Sequence, residues 1–156
     1  LSKTSFDLQK LCKSIVEKLG MEAKKRNHTL TYTERGKLPV FFGDKDRLEQ
    51  VIINIVTNAL KYTPDNGNIT VSCGYYFTDA VICVTDTGIG IPKEDLPYIF
   101  ERFYRVDKAR SRKYGGTGLG LAIAKEIVEA HSGKIEIESK FKIGTKVTIT
   151  MPIYSE

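Results

Sequence analysis

Gln50, Asn54 and Asn58 stand four residues apart and Lys61 follows three later, so on a helix the four share one edge. Asparagine in mid-helix costs on the order of a few tenths of a kcal/mol relative to leucine or alanine. An exposed helix more often carries Glu and Lys there, which leaves two readings, a solvated edge or a working one. On the second reading the Asn58 amide oxygen is a neutral, hard ligand suited to Mg2+, whose other positions are filled by waters and phosphate oxygens.

Two glycine-rich stretches raise a related question. "DTGIGIP", residues 86 to 92, sets the Asp86 carboxylate just before Gly88 and Gly90. That is either an ordinary turn or the rim of a pocket where a flat ligand approaches the backbone and Asp86 accepts a hydrogen bond. "KYGGTGLGL", residues 113 to 121, runs into the helix-like "AIAKEIVEAH" and follows the basic "KARSRK". It fits neither familiar phosphate fingerprint. A P-loop has Ser or Thr after its Gly-Lys, whereas Leu121 and Ala122 follow Gly120, and a dinucleotide turn follows a strand rather than a basic loop. Side-chain-free backbone N–H groups at a helix N-terminus still suit an anion, so phosphate binding and a merely structural helix start both remain open.

The elements that must position these residues follow from periodicity. Leu8, Leu11, Cys12, Ile15, Val16 and Leu19 form an apolar stripe over 8–26, with Asp7 as cap. "HTLTYT" (28–33) and "LPVFFG" (38–43) read as strands of a hairpin around "ERGK". Leu48, Val51, Ile52, Ile55, Val56, Ala59 and Leu60 give a second core helix over 46–62, stopped by Pro64 and "DNGN". "ITVSCGYYF" and "AVICVT" form a second hairpin ending at Asp86, and "IPKEDLPYIFERFYR" starts a short helix. A third helix spans about 118–131, and "KIEIES" and "TKVTITMP" close the chain as strands. Hairpins alternating with helices argue an α+β sandwich with helices on one face of the sheet, rather than a doubly wound parallel sheet.

The 156 residues suit one domain, burying about 70% of the surface of the unfolded chain. No run reaches the roughly 18 apolar residues of a membrane span, and no secretion signal is visible. Cys12, Cys73 and Cys83 lack zinc-site spacing and read as reduced, semi-buried thiols. A net charge of +5 suits an anionic partner without requiring nucleic acid. His28 and His131 fall at a strand start and a helix end, where surface or capping roles are expected.

Taken together, these segments resemble the ATP-binding catalytic domain of bacterial sensor histidine kinases, in the GHKL superfamily shared with type II topoisomerases, mismatch-repair ATPases and a heat-shock chaperone. "DRLEQVIINIVTNALKYT" (46–63) is similar to the family's N box, "DTGIGIP" to its first glycine box, "FERFYR" (100–105) to its F box, and "GGTGLGLAIAKEIVEAHSGKI" (115–135) to its second. The resemblance covers nearly the whole chain. It implies a two-layer α/β sandwich, with a mixed, mostly antiparallel sheet packed on three helices. It implies a single catalytic domain over 1–156, of which 1–5 would be linker from an upstream dimerisation hairpin.

By the same resemblance, Asp86 accepts from the adenine amino group, assisted through water by Thr145 of "GTKVTI", while Tyr62 lies along the base and Gly88, Gly90 and Ile91 line it. Two facing acceptors suit adenine and leave the oxygen of guanine unpaired. Asn58 holds Mg2+ with Asn54 nearby, and Lys61 and Arg105 contact phosphates. Residues from about Arg105 to Tyr114 correspond to a mobile lid rooted by Phe100, Phe103 and Tyr104, and Gly116, Thr117, Gly118, Leu119 and Gly120 present N–H groups to the triphosphate. ATP-hydrolysing relatives carry a glutamate base where this chain has Asn54, which cannot take a proton, so slow hydrolysis is expected.

The implied activity is transfer of the γ-phosphoryl group to a histidine within a motif like Ser-His-Glu-Leu-Arg. This sequence lacks that motif, so it reads as the catalytic half of a protein histidine kinase. The implied partners are the phosphoacceptor hairpin of the same protein, dimeric at full length, and a downstream response regulator. The fragment itself is expected to be monomeric, without nucleic acid and not inserted in a membrane, as the cytoplasmic part of a membrane-bound sensor. The alternatives are an ATPase clamp, which Asn54 disfavours, a serine kinase acting on a transcription regulator, which the lid length and F box disfavour, a nucleotide-sensing module, and a basic nucleic-acid-binding domain.

Overall fold

The computed structural model describes residues 1–102, 104 and 120–153. Its elements are β1 (Thr4–Phe6), α1 (Leu8–Lys18), α2 (Gly20–Lys25), β2 (Thr29–Arg35), β3 (Phe41–Gly43), α3 (Lys45–Tyr62), β4 (Asn68–Tyr76), β5 (Asp79–Asp86), α4 (Gly120–Ala130), β6 (Lys134–Lys140) and β7 (Gly144–Pro152). Five strands make a sheet in the order β2-β4-β5-β7-β6, in which only the β2–β4 pair is parallel. The buried stripes of α1, α3 and α4 join the sheet's apolar face in one cluster. This is the α+β sandwich that the sequence suggests.

Strand register arranges the covered face in cross-strand rows. Cys73, Ile82, Ile149 and Ile135 make one, and Val71, Val84, Val147 and Ile137 the next. The row after that is Ile69, Asp86, Thr145 and Ser139. Three polar residues thus end a face that is otherwise hydrophobic.

Several expectations need correction. The stripe over 8–26 is two helices, because Gly20 weakens propagation by about 1 kcal/mol and Leu19 leaves helical geometry. β2 and β3 do not form a hairpin. The buried Gln9 amide donates to the carbonyls of Gly36 (2.9 Å) and Cys73 (3.0 Å) and accepts from the Leu38 N–H (3.0 Å), which steers the chain over α1. β3 then pairs with β1, whose Thr4 and Ser5 belong to the segment read as linker, and α3 crosses over so that β4 lies parallel to β2. After "IPKED" only a 3-10 turn, Leu96–Tyr98, forms, since Pro97 has no N–H for an α-helical ladder and the nearby bonds run to the third residue back.

Asp7 caps α1 through the Lys10 N–H (3.0 Å). Asp44 caps α3 through the Arg47 N–H (3.2 Å), and its other oxygen accepts from the Ser2 N–H (3.0 Å). Those bonds, Ser2's foremost, hold its carboxyl below the usual range. His28 and His131 are buried rather than superficial. His131 Nε2 accepts from the Asp44 N–H (2.9 Å) while Nδ1 donates to the Ile127 carbonyl (2.8 Å), which joins the end of α4 to the start of α3. Cys12, Cys73 and Cys83 are free thiols, as expected.

Ile52 is 1% exposed at the centre of the α3 stripe. Ile52→Ala is expected to cost about 2–5 kcal/mol, read as a lower urea midpoint at unchanged m-value. A loss under about 1 kcal/mol contradicts the placement of α3 in the core.

Candidate functional site

The polar row sits where β5 gives way to the first glycine-rich loop. Asp86 Oδ1 accepts from the N–H of Gly88 (2.8 Å) and of Thr145 (3.3 Å), and Oδ2 has no partner among the described residues. Burial pushes the Asp86 carboxyl above the ordinary carboxylate range, against those two N–H groups, which pull it down. The fold therefore holds a partly desolvated acceptor with one oxygen committed and one to spare.

Glycine is required in this loop for space. A Cβ on Gly88 would come within 2.7 Å of the Tyr62 carbonyl oxygen and 2.8 Å of Asp86 Oδ1. Gly90 has φ +70°, and a Cβ there would lie 2.2 Å from the Lys140 carbonyl oxygen. The Ile89 N–H donates to the Tyr62 carbonyl (3.1 Å), so the loop is tied to the C-terminus of α3. His28 Nε2 donates there too, to the carbonyls of Thr63 (2.9 Å) and Pro64 (3.1 Å). Thr63 Oγ1 is buried without a hydrogen-bond partner, 3.1 Å from where the Gly88 Cβ would stand.

α3 presents its polar edge beside this loop. Asn54, Asn58, Lys61 and Tyr62 are half-buried and Gln50 is exposed. Neither the Asn54 nor the Asn58 side-chain amide has a hydrogen-bond partner among the described residues, although both lie mid-helix. Asn54 Nδ2 is 4.0 Å from where a Cβ of Gly120 would stand, so the edge faces the start of α4. Asn54, Gly120, Asp86, Gly88, Gly90, Ile91 and Thr145 are thus carried by α3, the start of α4 and the sheet end. Phe103, Arg105, Gly116, Thr117, Gly118 and Leu119 lie outside the described residues.

Of the F-box residues, Phe100 packs on the core beneath the Lys125 ammonium (5.4 Å), and Arg102 pairs with Glu126 of α4 (2.5 Å). The Tyr104 hydroxyl donates to Asp95, which pushes its pKa up to about 12. A separate recess of about 400 Å3, lined by Leu1, Ser2, Asp44, Asp46, Arg47 and Ile127, contains none of the expected site residues.

One residue of the polar row escaped the sequence reading. Ser139 Oγ accepts from the Ile91 N–H (2.8 Å) and lies 2.8 Å from Thr145 Oγ1 and 3.1 Å from the Gly144 carbonyl. The alternation Ile135, Ile137, Ser139 was the signal, a hydroxyl where the apolar period calls for a third aliphatic.

The chain is similar to known proteins in sequence and in fold. The family model described as histidine kinase-, DNA gyrase B- and HSP90-like ATPase matches residues 43–155. The sensor histidine kinase WalK of Bacillus subtilis (strain 168) is 53% identical over 115 residues, which cover 72% of this chain and 19% of that protein. Among solved structures, the nucleotide-free catalytic domain of histidine kinase ThkA matches with TM-score 0.86 and 28% identity over 98% of this chain and 99% of that one. ThkA in complex with the response regulator protein TrrA matches with TM-score 0.80 and 27% identity over 97% and 42%. Full-length ShkA in complex with AMPPNP matches with TM-score 0.86 and 25% identity over 100% and 32%.

Because its pKa is raised in the folded state, Asp86 contributes most to stability below the unfolded value of about 3.9, and that contribution is lost as pH rises through the folded value. Asp86→Asn keeps an acceptor for both N–H groups and removes the buried charge. Its urea midpoint at pH 7 is expected to equal or exceed that of the parent, with the difference closing as pH falls towards about 3.9. A variant less stable than the parent at pH 7 contradicts this account.

Proposed function

The chain belongs to the family of histidine kinase-, DNA gyrase B- and HSP90-like ATPases, and from that premise we propose that it binds Mg-ATP and donates the γ-phosphoryl group to a histidine on a separate helical domain. The observation that carries this reading is Asp86, a partly desolvated carboxylate with Oδ2 unpartnered among the described residues, next to a loop that only glycine fits. Such an acceptor suits the exocyclic amino group of adenine. Gly88, Gly90, Ile91 and Tyr62 line the base, and Thr145 assists through water. The AMPPNP in the ShkA structure supports the same class of ligand.

The α3 edge serves the phosphates. Asn58 supplies a protein oxygen to Mg2+, with Asn54 beside it, while Lys61 and the segment containing Arg105, Gly116, Thr117, Gly118, Leu119 and Gly120 meet the triphosphate. The half-buried amides without partners fit this role, and no cluster of three His, Cys, Asp or Glu residues competes for a cation among the described residues. A neutral amide oxygen in that position would suit a largely hydrated Mg2+. When bound, the ion neutralises charge on the β- and γ-phosphates.

Asn54 has no basic lone pair with which to activate water, so the chain positions the γ-phosphoryl group for a nucleophile from elsewhere. The histidine nitrogen forms the new N–P bond, the bond between the γ-phosphorus and the β,γ-bridging oxygen breaks, and ADP leaves. Both histidines here are buried and engaged in backbone hydrogen bonds, so neither serves as acceptor. The partners are accordingly a phosphoacceptor hairpin of the same protein, dimeric at full length, and a response regulator of the kind held by ThkA. Residues 1–156 act as one catalytic unit of a membrane-bound sensor's cytoplasmic part. No helix among the described residues is long and apolar enough to cross a membrane.

The chain, supplied with Mg-ATP and a separately prepared cognate hairpin, is expected to form phosphohistidine on the hairpin while hydrolysing little ATP alone. Rapid hydrolysis by the chain, or no transfer, contradicts the reading. Asn58→Ala is expected to weaken nucleotide binding roughly tenfold or more in Mg2+ and little in EDTA, with unchanged helical circular dichroism. An unaltered Mg2+ dependence removes Asn58 from the metal site.

A further inference from the structure

Ser139 closes the polar row at its outer end, and its hydroxyl contacts both the glycine loop and Thr145. A serine hydroxyl has one proton and two lone pairs. The Ile91 N–H takes one lone pair at 2.8 Å. The Gly144 carbonyl, 3.1 Å away, can only accept, so it takes the proton. The remaining contact, Thr145 Oγ1 at 2.8 Å, must then donate into the second lone pair. In that arrangement every hydrogen bond of Ser139 is made and the Thr145 proton is committed inward. Thr145 has only lone pairs left to offer outward.

We infer that Ser139 is a positioning residue for purine selection, which holds Thr145 as an acceptor beside Asp86 so that the rim meets a 6-amino purine and rejects a 6-oxo purine. This rests on the proposal that Asp86 reads adenine. A water that donates to both Thr145 and Asp86 offers the base only lone pairs. Without Ser139 the Thr145 hydroxyl is free to turn and donate to that water, whose freed proton gives the guanine oxygen a partner it otherwise lacks. The carboxylate contributes affinity for the amino group, and the Ser139–Thr145 pair sets the penalty for the wrong base.

Dissociation constants for ATP and GTP, measured by calorimetry on the parent, Ser139→Ala, Thr145→Val and the double variant, test this. The parent is expected to prefer ATP by about 100-fold or more, and each single variant to lower that GTP-to-ATP ratio by about tenfold. The double variant is expected to match Thr145→Val alone, since Ser139 acts through Thr145. Loss of affinity for both nucleotides at an unchanged ratio in Ser139→Ala, an unchanged ratio in Thr145→Val, or effects that multiply in the double variant overturn the inference. Those results leave the adenine reading standing if the parent still prefers ATP. A parent with no preference overturns both.

Discussion

A carboxylate partly out of water, at the end of a sheet face that is otherwise hydrophobic, is the constraint around which the rest is arranged. The row Ile69, Asp86, Thr145, Ser139 continues rows of aliphatics in register, and its three polar residues are half-buried, so they are partly desolvated. Two backbone N–H groups partly offset that cost for Asp86, and they stop short of satisfying Oδ2. The fold accepts an incompletely satisfied acceptor there, and a ligand with a donor to offer can complete it. The packing of the glycine loop against the β6–β7 turn follows from the same need, since only close backbone approach brings the N–H groups to the carboxylate.

α3 combines two jobs that pull against each other. One side is an uninterrupted apolar stripe in the core, and the next carries two asparagines that weaken the helix locally. The core stripe compensates for the weak propensity. The ends of α3 are secured independently, at the start by Asp44 with His131 and Ser2, and after its end by His28 on the Thr63 and Pro64 carbonyls. With both ends secured, the middle of the helix tolerates two residues of weak helix propensity.

Much of this was legible in the sequence because the signals are local. The period of α3, the alternation in β5 and β7 and the glycines after Asp86 each fix an element and the side it presents. What was not legible depended on contacts between residues far apart in the chain. β2 pairs with β4 rather than β3 because buried Gln9 captures the loop after β2, and an isolated glutamine on an apolar helix gives no sign of that. His131 reads as a helix-end residue until Asp44 arrives beside it. Ser139 goes unremarked within "KIEIES", and only the register with Thr145 and the approach of Ile91 give its hydroxyl partners. The family resemblance supplied the roles of Asp86 and Asn58, and the geometry supplies the physical reason those roles are feasible.

The most direct test of the central claim is a crystal structure of this chain with Mg2+ and a non-hydrolysable ATP analogue. The adenine amino nitrogen is expected at about 2.7–3.2 Å from Asp86 Oδ2, with the phosphates along the Asn54–Asn58 edge of α3. A base bound in the recess beside Asp44 and Arg47, or one that leaves Asp86 without a donor, would contradict it.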